Sequence, residues 1–140
     1  MLYLDTSVLV AAVVNEIHSG LARQWLLARE PNELVISQWT ITEFSAALSV
    51  KLRVGELSLE QRNAGLTTFS RWVQEVFQVV EVGQADFIGA ARFADIESTA
   101  LRAGDALHAA IAFNHGLVLC TLDKGLTKAR LLGVEVTLIS

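Results

Sequence analysis

The chain is poor in residues that staple, kink or stack. Cys120 is its only cysteine and lies in the mostly apolar segment Leu117 to Leu122, so an intrachain disulfide and a cysteine-based zinc site are both excluded. Its simplest role is to fill the core. Pro31 is the only proline and ends the helix expected to carry Leu21, Trp25 and Leu26. No apolar run exceeds the seven residues from Val8 to Val14, too few to span a bilayer. The amino terminus has no basic segment and Asp5 interrupts its apolar stretch, which argues against a secretory signal and for a cytoplasmic chain. Positive charge is not in excess. A net charge of −4 and a pI near 5.3 exclude a broad basic surface that tracks nucleic acid. A bound cation can still reverse the local field and permit a small contact with a phosphodiester. No extended alternation of basic and aromatic residues surrounds Trp25, Trp39 and Trp72, which read as core or interface rather than base-stacking platforms. No repeat, low-complexity tract or flexible linker divides the 140 residues, so one domain over residues 1–140 is expected.

Apolar residues, by contrast, are plentiful. They make up 52% of the chain, with a mean hydropathy of +0.43, which implies a large core and a protein interface besides. Short apolar segments at Met1 to Leu4, Leu34 to Ser37, Val79 to Val82, Leu117 to Thr121 and Val134 to Ile139 read as strands. Longer stretches with helical spacing separate them, the alternation of an α/β fold with a mainly parallel sheet. Leu59, Leu66, Phe69, Val73 and Val76 mark the buried face of a helix from about Ser58 to Gln78, which Ser58 could cap. Phe87, Ile88, Ala91 and Ala94 are expected to do the same for the next helix, with Asp86 at its amino end. Ala106 to His115 is Ala-rich and helical, closed by Gly116. Gly55 and Gly133 punctuate other helix ends.

Four acids fall where apolar runs end or helices begin: Asp5, Glu43, Asp105 and Asp123. In a parallel sheet these places share one rim, the carboxyl ends of the strands, where ligands bind. Each acid has an ordinary alternative. Asp5, Asp105 and Asp123 could each cap the helix that follows. Thr40 to Glu43 spells a capping box that would turn Glu43 back to the backbone, whereas a cap at Ser37 would free Glu43 to face the pocket. Capping alone would accept Ser, Thr or Asn, so repeated carboxylates favour a hard divalent cation, Mg²⁺ or Mn²⁺, held by oxygen ligands. Two unit charges about 4 Å apart repel by roughly 4 kcal/mol at an effective dielectric near 20, so such a cluster needs protons or a cation.

Thr6, Ser7 and Thr121 flank the acids, so their hydroxyls could hold metal-bound water, Ser7 best of all, with turn hydrogen bonding as the alternative. His108, one turn after Asp105, could touch the pocket, although packing or hydrogen bonding is the commoner use. Arg102 is the candidate phosphate contact, while Lys124, Lys128 and Arg130 read as a solvated face.

Leu4-Asp5-Thr6-Ser7-Val8-Leu9-Val10, Ser37 to Glu43, Leu101 to Ala110 with Asp105-Ala106-Leu107-His108 at its centre, and Thr121-Leu122-Asp123 resemble the successive motifs of PIN domains, VapC-type toxins above all. The resemblance covers essentially the whole chain. It implies a three-layer α/β/α sandwich of about five parallel strands and a metal-dependent endoribonuclease. It further implies Mg²⁺ or Mn²⁺ on Asp5, Glu43, Asp105 and Asp123, support from Ser7 and Thr121, a VapB-type antitoxin that covers the pocket, and a homodimer. A divalent ion can activate water for in-line attack on phosphorus while a carboxylate takes the proton. No histidine pair suits attack by an RNA 2′-hydroxyl, so hydrolysis to a 5′-phosphate and a 3′-hydroxyl is expected. Competing readings are a receiver or phosphatase-like domain, which also gathers acids around Mg²⁺, and a non-catalytic module whose acidic pocket captures a partner's Arg or Lys.

Overall fold

A computed structural model describes residues 1–140. Strands β1 (Leu2–Leu4), β2 (Leu34–Ser37), β3 (Gln78–Val80), β4 (Val118–Thr121) and β5 (Val136–Leu138) form one sheet in the order β3-β2-β1-β4-β5. Every pairing is parallel, with Leu4 opposite Cys120 in the β1–β4 register. Parallel neighbours require crossovers. These are α1 (Thr6–Val13) and α2 (Ser19–Leu27), then α3 (Gln38–Arg53) and α4 (Leu59–Glu75), then α5 (Gln84–Ala94) and α6 (Ala103–Asn114). A 3-10 segment, Lys124–Leu132, joins β4 to β5 where a helix had been expected. The chain winds outward from β1 to β3, then returns to the other side of β1. That reversal makes the carboxyl ends of β1 and β4 a switch point, the crevice where open α/β sheets take ligands.

Strand alternation builds the layers. Tyr3, Val35, Leu119 and Val136 point to a core shared with α6, while Leu4, Leu34, Ile36 and Cys120 point to one shared with α1, α3 and α4. Both sheet faces are therefore covered, which is why the strands read as continuous apolar runs. Phe44 of α3 stacks on Phe69 of α4 with centroids 4.0 Å apart. Ser58 caps α4 and Ser37 caps α3, each paired with the residue three positions on. No helix is long and apolar enough to cross a membrane.

Two expectations are corrected. The α5 face of Phe87, Ile88, Ala91 and Ala94 is not buried: Phe87 is 58% and Ile88 46% exposed. Small residues orient the helix instead. Gly89 sits so close to α6 that a Cβ there would lie 3.3 Å from the Ala110 Cβ. Asn114 Nδ2 donates to Asp86 Oδ1 on the same side at 2.9 Å. Leu59, at the first position of α4, is also exposed, because it lies beyond the layer that its periodic partners cover. A third difference concerns α6, which begins at Ala103, so Asp105 lies in its first turn rather than at its cap.

Candidate active site

Asp5 follows β1 directly, and its backbone N–H donates to the Cys120 carbonyl of β4 at 3.2 Å. Asp5 is 6% exposed, and its carboxylate accepts Ser7 Oγ–H at 2.6 Å and Thr121 Oγ1–H at 2.7 Å. Those two hydroxyls also accept backbone protons, Ser7 from Leu122 N–H and Thr121 from Asp123 N–H. Each hydroxyl has one proton to give and aims it at Asp5, so the turn after β4 is tied to the end of β1. Burial pushes the Asp5 carboxyl above its ordinary range, against the pull of the two hydroxyls.

Glu43 is positioned by the cap of α3. Ser37 accepts from Thr40 N–H at 3.3 Å, so the helix starts at Gln38 and Glu43 lies more than one turn inside it, facing the pocket. Its Oε1 accepts Thr6 Oγ1–H at 2.6 Å and His108 Nε2–H, while Oε2 accepts no hydrogen bond. Burial alone would raise the Glu43 carboxyl, but the His108 and Thr6 contacts outweigh it and hold the group below its ordinary range. Gly104 explains the remaining space: a Cβ there would come within 2.8 Å of Glu43 Oε2.

Asp105, from the first turn of α6, is half-buried. Burial pushes its carboxyl up, and the negative charge of Asp123 pushes further. Asp123 does cap its segment, because Oδ1 accepts Gly125 N–H at 2.9 Å. The four acids line one cavity of about 290 Å³ together with Thr6, Ser7 and His108. A neighbouring cavity of about 600 Å³ shares Glu43, Asp105 and Asp123 and adds Arg102 and Lys128. As placed, no three of the His, Cys, Asp or Glu side chains converge closely enough to hold a metal ion. The acids share a cavity; they are not drawn to one point.

Sequence reasoning passed over Tyr3 and Gly104, gave Lys128 only a solvated face, and placed the Thr6 hydroxyl beside the acids without its partner, which is Glu43. Both uses weighed for His108 are found together: the residue is 2% exposed with both ring nitrogens hydrogen-bonded, and it also lines the cavity. The signal for Tyr3 was a phenolic hydroxyl inside the apolar strand Leu2–Leu4, a group that needs a partner when buried.

The PIN domain family model matches residues 2–131. This chain belongs to the PIN domain family. No curated protein matches the sequence. Among solved PIN-like structures, VapC20 of Mycobacterium tuberculosis, a sarcin-ricin loop cleaving toxin, is 16% identical with a TM-score of 0.74, over 92% of this chain and 95% of that one. VapBC2 of Rickettsia felis, bound to a DNA fragment from its promoter, gives 18% identity and a TM-score of 0.72 over 100% of both chains. A Klebsiella pneumoniae toxin-antitoxin complex gives 20% and 0.62 over 88% of this chain and 87% of that one. The α/β/α fold with a five-stranded parallel sheet is the one these structures share.

Proposed function

We propose that this PIN domain is a Mg²⁺- or Mn²⁺-dependent endoribonuclease, the toxin of a toxin-antitoxin pair, acting in the cytoplasm as a homodimer and held in check by a VapB-type antitoxin. Residues 1–140 act as one domain. One observation carries the reading: four carboxylates from four separate segments line one cavity, and two of them, Asp5 and Asp105, are pushed toward the neutral form by burial and neighbouring charge. An anionic nest of this kind is relieved by protons or by a cation. The residues fit a hard cation. Every candidate donor is an oxygen, Glu43 Oε2 is unclaimed, and Gly104 keeps a side chain out of the space beside it. Asp5, Glu43, Asp105 and Asp123 would hold the ion, with Ser7 and Thr121 fixing Asp5.

When bound, the ion supplies charge for the developing phosphorane and acidifies water. The chain's own groups do the rest. Arg102 and Lys128, on the wall of the adjoining cavity, draw the RNA backbone toward the acids. A carboxylate of the cluster takes the proton of the attacking water. Glu43, held ionised by His108 and Thr6, keeps its role as a ligand.

Cleavage of purified RNA tests this reading. It requires Mg²⁺ or Mn²⁺, stops in EDTA, and is lost in Asp5→Asn and Asp105→Asn proteins that melt normally; the products carry 5′-phosphate and 3′-hydroxyl ends. Undiminished cleavage in EDTA or by either variant rejects it.

A further inference from the structure

We infer that Tyr3 and His108 form a positioning relay that decides which oxygen of Glu43 faces the cavity. The relay deepens the reading of Glu43 as a metal ligand and rests on it.

Tyr3 is fully buried in the middle of the sheet, where a phenylalanine would avoid the cost of desolvating a hydroxyl. Its hydroxyl lies 2.7 Å from His108 Nδ1, 2.8 Å from Ser37 Oγ and 3.4 Å from Thr40 Oγ1. On the far side of the imidazole, Nε2 meets Glu43 Oε1. A carboxylate only accepts, so Nε2 carries its proton toward Glu43 wherever the proton between Tyr3 and Nδ1 lies. Ser37 Oγ already accepts Thr40 N–H, which leaves its own proton for the Tyr3 oxygen. Both ring nitrogens are thus engaged, and the ring cannot rotate or flip without losing two bonds in the core.

The consequence falls on Glu43. Thr6 and His108 both claim Oε1, so Oε2 is the oxygen left for the cavity. The relay also closes on itself. Ser37 caps α3, Glu43 lies six residues further along the same helix, and both refer to one tyrosine hydroxyl on β1. In this way β1, α3 and α6 are brought into register at the ligand rather than by general packing. Outer partners of metal ligands typically account for about 10–100-fold in metal affinity.

Mn²⁺ affinity by calorimetry and melting temperature are measured together for wild type, Glu43→Gln, His108→Leu, His108→Gln and Tyr3→Phe. His108→Leu weakens Mn²⁺ binding by about 10–100-fold. His108→Gln, whose amide can still donate to Oε1, restores most of the loss, and Tyr3→Phe weakens binding in the same direction. A fall in melting temperature with wild-type Mn²⁺ affinity in His108→Leu or Tyr3→Phe reduces the network to ordinary core bonding and overturns the relay. If Glu43→Gln binds Mn²⁺ as wild type does, the ligand reading itself fails. The relay is then judged on metal-free protein by NMR: the His108 Nε2 proton is downfield and protected, moves upfield in Glu43→Gln and loses protection in Tyr3→Phe. An Nε2 proton indifferent to both substitutions overturns it.

Discussion

Gly104→Ala separates fold from function. A methyl at this position starts 2.8 Å from Glu43 Oε2 and 3.6 Å from the edge of Trp39, and ordinary contact begins near 3.4 Å. Glu43 must therefore retreat by about 0.6 Å, and it cannot simply swing away while Thr6 and His108 hold Oε1. Gly104 lies in the first turn of α6, so alanine gains at most about 1 kcal/mol of helix propensity. Weakening one bond to a charged group costs about 1.5–3 kcal/mol if it is lost outright, less if it only lengthens. The two terms nearly cancel, and the net change in stability stays within about 2 kcal/mol. Catalytic geometry is less forgiving, since positions must hold to about 0.5 Å and a 1 Å error can cost about 100-fold. The expected outcome is a melting temperature within a few degrees of wild type and RNA cleavage reduced by about 10–100-fold. The assay is initial cleavage rate in saturating Mn²⁺ alongside thermal melting. A stable Gly104→Ala protein that cleaves at the wild-type rate refutes the claim that Glu43 Oε2 needs that space.

Ser37→Ala removes both the cap of α3 and a partner of Tyr3, and denaturant titration should show a loss of about 1–2 kcal/mol. The pH dependence of stability has a defined sign. Asp5 and Asp105 have folded values raised above their ordinary 3.8, so the folded state binds more protons there and metal-free stability falls as pH climbs from about 3.8 through those raised values. Glu43, lowered from 4.5, works the other way and loses its contribution as pH drops through its folded value. Denaturation curves should show the decline flattened in Asp5→Asn and Asp105→Asn, and Mn²⁺ at 100 times its Kd should add about 2.7 kcal/mol above that range. Arg102→Ala with Lys128→Ala should raise KM for RNA with little change in kcat, read from steady-state cleavage at two salt concentrations.

The layers of the fold were readable because burial on both sheet faces leaves an unmistakable mark: Leu34 to Ser37 is apolar at three successive positions before the cap. Local chemistry was readable too. Ser37 and Thr40 competed to cap α3, and the serine wins because it ends β2 and reaches the Thr40 N–H. Coverage was not readable. The periodicity of Phe87, Ile88, Ala91 and Ala94 says which side of α5 is apolar and nothing about whether another element lies over it; Gly89 and Ala90 decide that by fitting against α6. Asp5, Asp105 and Asp123 were legible one by one, since each follows a strand or opens a helix, whereas Glu43 depended on which residue caps α3. Their supports were not, because Tyr3 meets His108 across 105 positions and Thr6 meets Glu43 across 37, distances over which no local pattern runs. Gly104 carried no local signal, and only the position of Glu43 Oε2 reveals why a side chain is excluded.

The central claim is that Asp5, Glu43, Asp105 and Asp123, which line one cavity, together hold a divalent ion. Anomalous diffraction from crystals grown with Mn²⁺ tests it most directly. The account predicts a manganese peak in the cavity, within ligand distance of at least three of those carboxylates, with the Glu43 oxygen that faces it being the one not bonded to His108 and Thr6. A peak elsewhere, or none at a manganese concentration that supports cleavage, contradicts it.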